Sequence, residues 1–219
     1  MYTPKAFEVG DIETMHSDIK RCGLACLVTL TKVGLVATHL PVLLHEDKGK
    51  YGTLSGHLSK ANAQWRESDP QTEALVIFSG LESYITPSWY ATKQETGKVV
   101  PTWNYAAIHA YGHLSFNTDA DWLKSHVGEL TAKHESTFSH PWKITDAPAE
   151  YIDAQVKGIA GFEMMIERIE GKHKFNQNRS EQDRNGVISG LRKMNAHQKS
   201  DVASFMEQVA FKRNDAQND

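Results

Sequence analysis

The stretch Val99–Tyr111, VVPTWNYAAIHAY, constrains this chain more than any other. β-Branched and aromatic side chains dominate it and a turn-like segment, Gln94–Lys98, precedes it, which together predict a strand. Side chains of a strand alternate faces, so Trp103, Tyr105, Ala107, His109 and Tyr111 point one way. Thr102, Asn104, Ala106, Ile108 and Ala110 point the other way and form a smaller face. A broad aromatic face of this kind suits a packed core beside an interface, or a wall against which a flat ligand lies. The strand alone leaves both readings open.

Around it the sequence predicts a mainly β chain with flanking helices. A helix is expected over residues 8–22 with Asp11 as its cap, then a hairpin of Leu24–Thr31 and Leu35–Leu44 turning at Lys32–Gly34. Pro41 cannot donate a ladder hydrogen bond, so the second strand is expected to bend, bulge or lie at an edge there. Tyr51–Leu58 reads as a Gly-interrupted strand and Ser59–Asp69 as a short helix capped by Ser59. Leu75–Ser79 is a buried strand, and Tyr84–Tyr90 adds a proline and three aromatics. Helices are expected at Ala120–Phe138 and Glu150–Val156, and a last strand at Ile159–Ile169. Beyond Gly171 the segment Lys172–Arg179 is basic and amide-rich, and Ser180–Met194 and Lys199–Lys212 are amphipathic helices. The expected organisation is one domain over residues 1–179, a helical extension over 180–212 and a disordered tail over 213–219. Six or seven short strands point to a closed or nearly closed barrel.

The 219 residues suffice for a substantial core, and the net charge of -3 lacks the basic excess that drives non-specific nucleic-acid binding. DNA binding therefore finds no support in charge. No apolar run approaches the ~20 residues needed to span a bilayer, so a soluble, cytoplasmic protein with no membrane partner is expected. Cys22 and Cys26 read as reduced, buried thiols.

Several chemistries lack their signatures. The eleven histidines include no HExxH pair, and no CxxC occurs, so no metal site is expected. His109 and His113 share a strand face but would lie more than roughly 10 Å apart at ~3.3 Å per residue, too far to chelate one ion. A G-x-S-x-G elbow, a G-x-G-x-x-G fingerprint and a P-loop are missing. The catalytic residues, if there are any, stay unassigned.

Five blocks in order carry a resemblance: ATHLPVLL (Ala37–Leu44), GHLSKANAQW (Gly56–Trp65), IFSGLESYITPSWYATK (Ile77–Lys93), VVPTWNYAAIHAYG (Val99–Gly112) and IEGKHKFNQNRSEQDRNGVISGL (Ile169–Leu191). Together they resemble the PaiB family of FMN-binding proteins, described as negative transcriptional regulators. Lys60 stands where the family more often has arginine, Phe175 where it usually has leucine, and His173 where many members have tryptophan.

The resemblance implies an FMN-binding split β-barrel of the pyridoxamine-phosphate-oxidase type and a homodimer with one FMN per subunit at its interface. It further implies cofactor contacts from Thr38, His39, Leu40, His57, Ser59, Lys60, Asn62, Trp89, Trp103, Lys172, Lys174, Gln177 and Asn178. The chemistry of these side chains is compatible. A dianionic phosphate wants cationic and hydroxyl donors, which Ser59 and Lys60 offer at the expected start of a helix. Thr38, His39 and Leu40, on the strand that bends at Pro41, are placed for the ring edge. Gln177 and Asn178 supply the mixed donors and acceptors a flavin's pyrimidine edge or ribityl chain needs. Residues 171–178 are expected to close over the cofactor site of the other subunit, or else to be an exposed basic loop. The function so implied is a flavin-dependent regulator; a small FMN-dependent oxidoreductase and a binding dimer with little cofactor use stand as alternatives.

Overall fold

The computed structural model describes residues 1–194 and 196–215. Its strands are β1 (Glu8–Val9), β2 (Ala25–Thr31), β3 (Gly34–Leu40), β4 (Val42–His45), β5 (Thr53–Ser59) and β6 (Ala74–Ile85), followed by β7 (Thr102–Gly112), β8 (Leu114–Asn117), β9 (Ile159–Met165) and β10 (Arg168–Lys174). The helices are α1 (Ile12–Arg21), α2 (Gln64–Glu67), α3 (Ala91–Thr96), α4 (Ala120–Glu135), α5 (Ala149–Lys157), α6 (Glu181–Lys193) and α7 (His197–Asp215). Residues 216–219 of the expected tail lie outside the described residues. The chain divides into a terminal unit, Met1–Asp11, Ser79–Ile108 and Glu170–Asp219, and a central unit, Ile12–Phe78 and His109–Ile169.

In the central unit β2 and β3 form the expected hairpin, with Ala25 opposite Leu40 and Thr31 opposite Gly34. The turn works because Gly34 adopts φ 108°, open to glycine at little cost, while the Thr31 hydroxyl donates to the Gly34 carbonyl at 2.9 Å. Pro41 does what its missing N–H dictates. The expected strand Leu35–Leu44 breaks there, β3 staying beside β2 and β4 pairing instead with β5, Val42 opposite Gly56. The second sheet runs in the order β4-β5-β9-β8. Close packing fixes Gly56 in it, since a Cβ there would lie 2.6 Å from the Phe162 ring. Leu54, Phe162 and Met164 are fully buried in this unit, as is Leu123 of α4. Cys22 and Cys26 form no disulfide and are half-buried, less buried than expected.

In the terminal unit strands β1, β10, β7 and β6 follow one another. The segment expected to start a helix at residue 8 instead pairs with β10, Glu8 opposite Lys172 and Val9 opposite Gly171. The expected single strand Ile159–Ile169 is two strands parted at Ile166–Glu167, which extends β10 through Lys174. β6 is longer than expected because Gly80 lets it pass close to β7; a Cβ there would sit 2.9 Å from the Ala106 methyl. The two C-terminal helices close this unit's core. Val187 and Leu191 of α6 and Val202, Ala203, Phe205 and Met206 of α7 pack with Ile85, Tyr90, Ala106 and Phe175. Among the described residues no helix is long and apolar enough to cross a membrane.

Helix α6 approaches Trp89 through glycine. A Cβ at Gly190 would lie 2.4 Å from the Trp89 indole. Gly→Ala inside an exposed helix ordinarily stabilises by roughly 1 kcal/mol. Here the sign reverses: Gly190→Ala should destabilise the protein by roughly 1–3 kcal/mol through overpacking, read as a lower urea midpoint.

Candidate functional site

Ser59 is the last residue of β5, opposite Ile159 of β9, and there the strand ends in a β-turn. The Asn62 N–H donates to the Ser59 carbonyl at 3.0 Å and the Ala61 N–H to the Ser59 hydroxyl at 3.2 Å. The helix expected from Ser59 starts only at Gln64 and lasts four residues, because the Asn62 side chain turns the chain first, accepting from the Gln64 N–H at 3.0 Å. Helix N–H groups therefore do not face Ser59 and Lys60, and any anion there meets side chains and the turn itself. Lys60 is anchored by its backbone alone, its N–H donating to Gly158 O at 2.8 Å and its carbonyl accepting from the Trp65 indole at 3.1 Å. Among the described residues no hydrogen bond or ion pair engages the Lys60 ammonium.

The turn is tied to β3. The Thr38 hydroxyl donates to Gln64 Oε1 and accepts from Asn62 Nδ2 at 2.9 Å. Thr38, Asn62, Ser59 and Lys60 thus come together on one side of the central unit. His39 next along β3 faces solvent, and Leu40 is buried. His57 lies two residues before Ser59 on β5 and is half-buried.

The other implied residues belong to the terminal unit. Lys172 is 7% exposed, donates to Tyr2 O at 3.0 Å and lies over the Tyr105 ring, 5.2 Å from its centre. Lys174 donates to the Thr102 hydroxyl at 2.6 Å and faces the same ring at 5.9 Å. Two ammonium groups against one aromatic face are held by cation–π attraction as well as by these bonds. Gln177 spans the end of the strand, accepting from the Phe175 N–H and donating to His173 O. Asn176 takes φ 62° and donates to the Tyr90 hydroxyl at 2.8 Å. The segment is therefore ordered strand and turn, and of its four named residues only Asn178 is exposed. Trp89 rests on α6, while Trp103 is half-exposed and meets Tyr84 edge-to-face at 6.0 Å.

Sequence reasoning missed one cluster in the central unit. Ser55 and His57, two apart on β5, present the same face, and α4 lays His126 across it. His126 Nε2 lies 3.2 Å from His57 Nδ1, and His126 Nδ1 lies 3.3 Å from Ser55 Oγ. Ser55 Oγ in turn lies 2.9 Å from His45 Nε2. Trp122, one helical turn before His126, stacks on its ring at 5.2 Å and 11°. The i, i+4 pair Trp122–His126 on a predicted helix was the readable signal; that it faces Ser55 and His57 was not. A cavity of about 190 Å³ adjoins the cluster, lined also by Lys48, Ser125, Glu129 and Glu163. Among the described residues no set of three side chains is arranged to hold a metal ion.

Burial, with smaller effects from His57 and His45, pushes the His126 imidazole down to about 4, and burial also lowers His57. The folded ring therefore stays neutral where the unfolded ring, titrating near 6.5, takes a proton. Stability from this source is complete above about pH 6.5 and falls as the pH drops toward about 4, by at most on the order of 3 kcal/mol. Urea unfolding of wild type and His126→Gln across that window should show the steeper acid loss in wild type.

The model of a family described as "Putative FMN-binding domain" matches residues 1–168. The "Protease synthase and sporulation protein PAI 2" of Bacillus subtilis is 31% identical, over 94% of this chain and 97% of its own. An uncharacterized protein of Emericella nidulans is also 31% identical, over 95% of this chain and 97% of its own. Among solved structures, the flavocytochrome Anf3 from Azotobacter vinelandii superposes with a TM-score of 0.55 at 12% identity, covering 76% of this chain and 69% of that one. The FAD and heme binding protein from Mycobacterium smegmatis gives 0.55 at 13%, covering 76% and 73%. These last two speak for the fold alone, a split barrel whose sheets are not closed. The chain belongs to the PaiB family of FMN-binding proteins, and FMN is its cofactor.

Proposed function

We propose that this protein is a cytoplasmic FMN-binding homodimer acting as a flavin-dependent negative transcriptional regulator of the PaiB kind. The observation that carries the cofactor reading is the Lys60 ammonium, which lacks a partner among the described residues and projects from a turn held by two backbone–backbone hydrogen bonds and one from a backbone N–H to the Ser59 hydroxyl. The donor set beside it fits the cofactor: a free ammonium and the Ser59 hydroxyl for the phosphate, and the Thr38 hydroxyl, Asn62 amide and His39 and His57 imidazoles for the polar edge of the flavin. FMN, when bound, contributes a flat redox-active ring.

Support for the dimer comes from the half-exposed Trp103–Tyr84 pair, an aromatic surface of the kind that subunit contacts bury. On this reading the segment 171–178, through half-buried Lys174 and Gln177 and exposed Asn178, faces a flavin held by the partner chain. Two cysteines without a disulfide suit a reducing compartment.

A second reading, a small FMN-dependent oxidoreductase, is favoured by one observation. His57 ends a chain of groups able to move protons. Adding NAD(P)H to the flavin-loaded protein separates the two: bleaching of the flavin band and turnover of an acceptor mark the enzyme, and a flavin-dependent shift of promoter DNA marks the regulator.

Lys60→Ala should weaken FMN roughly ten- to a hundredfold, the loss of a charge-assisted contact of about 1.5–3 kcal/mol, while Lys60→Arg is tolerated better. Fluorescence titration giving wild-type affinity for Lys60→Ala would reject the assignment. Lys174→Gln with Asn178→Ala should weaken flavin binding and leave the dimer mass by sedimentation unchanged; a monomer at every concentration in wild type would sink the trans arrangement.

A further inference from the structure

Four side chains of the central unit form one unbroken series: His57, His126, Ser55 and His45, joined at 3.2, 3.3 and 2.9 Å. The two inner members are buried, Ser55 at 2% exposure and His126 at 4%, while His57 and His45 at the ends are half-buried. Among the described residues no other hydrogen bond reaches the Ser55 hydroxyl or the His126 ring.

The chemistry of the members restricts the series to two states. A neutral imidazole donates from one nitrogen and accepts at the other, and a hydroxyl does both. If His126 donates from Nε2, His57 accepts at Nδ1, Ser55 donates to His126 Nδ1, and His45 donates to Ser55 from Nε2. All three rings then carry their proton on Nε2. In the reverse state all three carry it on Nδ1. Mixed tautomers leave two acceptors or two donors facing each other, or leave the Ser55 hydroxyl proton without an acceptor, which is costly in a buried place.

From this geometry we infer that His45, Ser55, His126 and His57 are a proton relay between the adjoining cavity and the half-buried end at His57. One passage balances as follows. A proton from the cavity binds His45 Nδ1; the His45 Nε2 proton moves to Ser55 Oγ as the hydroxyl proton moves to His126 Nδ1. The His126 Nε2 proton then moves to His57 Nδ1, and His57 releases its Nε2 proton. Each heavy atom ends neutral, and one proton has crossed. A buried imidazolium at His126 is disfavoured, so the transfers run in concert and do not pause on that ring. The charged groups facing the cavity end are Lys48, Glu129 and Glu163, of which Lys48 and Glu163 stand 3.9 Å apart and Glu129 accepts from Ser125. Water in the cavity supplies the entering proton, and the carboxylates there favour its approach. Only the destination of the proton, a flavin beside His57, rests on the function proposed above.

The test is nitrogen NMR on the full chain labelled at histidine. In wild type, His45, His126 and His57 should share one tautomer, and the ring N–H of buried His126 should exchange with water quickly through the ends. Ser55→Ala, which keeps the volume and removes the link, should slow that exchange at least several-fold; His45→Gln, a half-exposed change, serves the same purpose should Ser55→Ala fail to fold. Different tautomers within the three rings, or exchange at His126 unaffected by both variants, would overturn the relay. Addition of FMN is judged separately. Unmoved His57 signals would refute the flavin reading at that residue and leave the relay standing.

Discussion

The side chain of Gln64 holds the candidate phosphate site in place. It is 2% exposed, and its Nε2 lies within hydrogen-bonding distance of Leu27 O, Thr29 Oγ1 and Val36 O at 3.1–3.3 Å while its Oε1 accepts from Thr38. A buried carboxamide so fully satisfied fixes one geometry, because any shift strands a donor or an acceptor away from water. It binds the short helix α2 to both strands of the β2–β3 hairpin. The turn from Ser59 to Asn62 therefore keeps one position relative to Thr38. The flexible part is the Lys60 side chain, four methylenes on a fixed base, which is what gripping a phosphate asks for.

Two economies of sequence build the central unit around that tie. Pro41 passes the chain from one sheet to the next without an extra loop, since a residue with no N–H cannot continue the first ladder. Gly56 lets Phe162 lie flat on β5, leaving Ser55 and His57 to face α4. The terminal unit solves a different problem. β6 and β7 would expose Ile85 and Ala106, and the two C-terminal helices cover them with Val187, Leu191, Val202 and Met206. Arg192 adds a bond to both carboxylate oxygens of Glu207 at 2.8 Å, on a solvent face where such pairs contribute little.

Much of the strand content was legible because alternation and turn residues are local signals. The β2–β3 hairpin, the break at Pro41 and the long strand at Thr102–Gly112 all follow from residues near in sequence. What stayed hidden depended on partners far along the chain. Glu8 and Val9 look helical beside Asp11, yet Lys172 and Gly171 pair with them as a strand. Ser59 looks like a helix cap, yet Asn62 claims the turn. Lys172 and Lys174 look solvated, yet Tyr105 and Tyr2 O draw them inward. The histidine series was least legible, since His45, Ser55, His57 and His126 lie on three elements that only folding brings together.

The most direct measurement is a crystal structure of the protein loaded with FMN. The expected result is a phosphate within hydrogen-bonding distance of the Ser59 hydroxyl and the Lys60 ammonium, with the ring edge toward Thr38 and His39. A phosphate held elsewhere, with Lys60 still unpaired, would contradict the site described here.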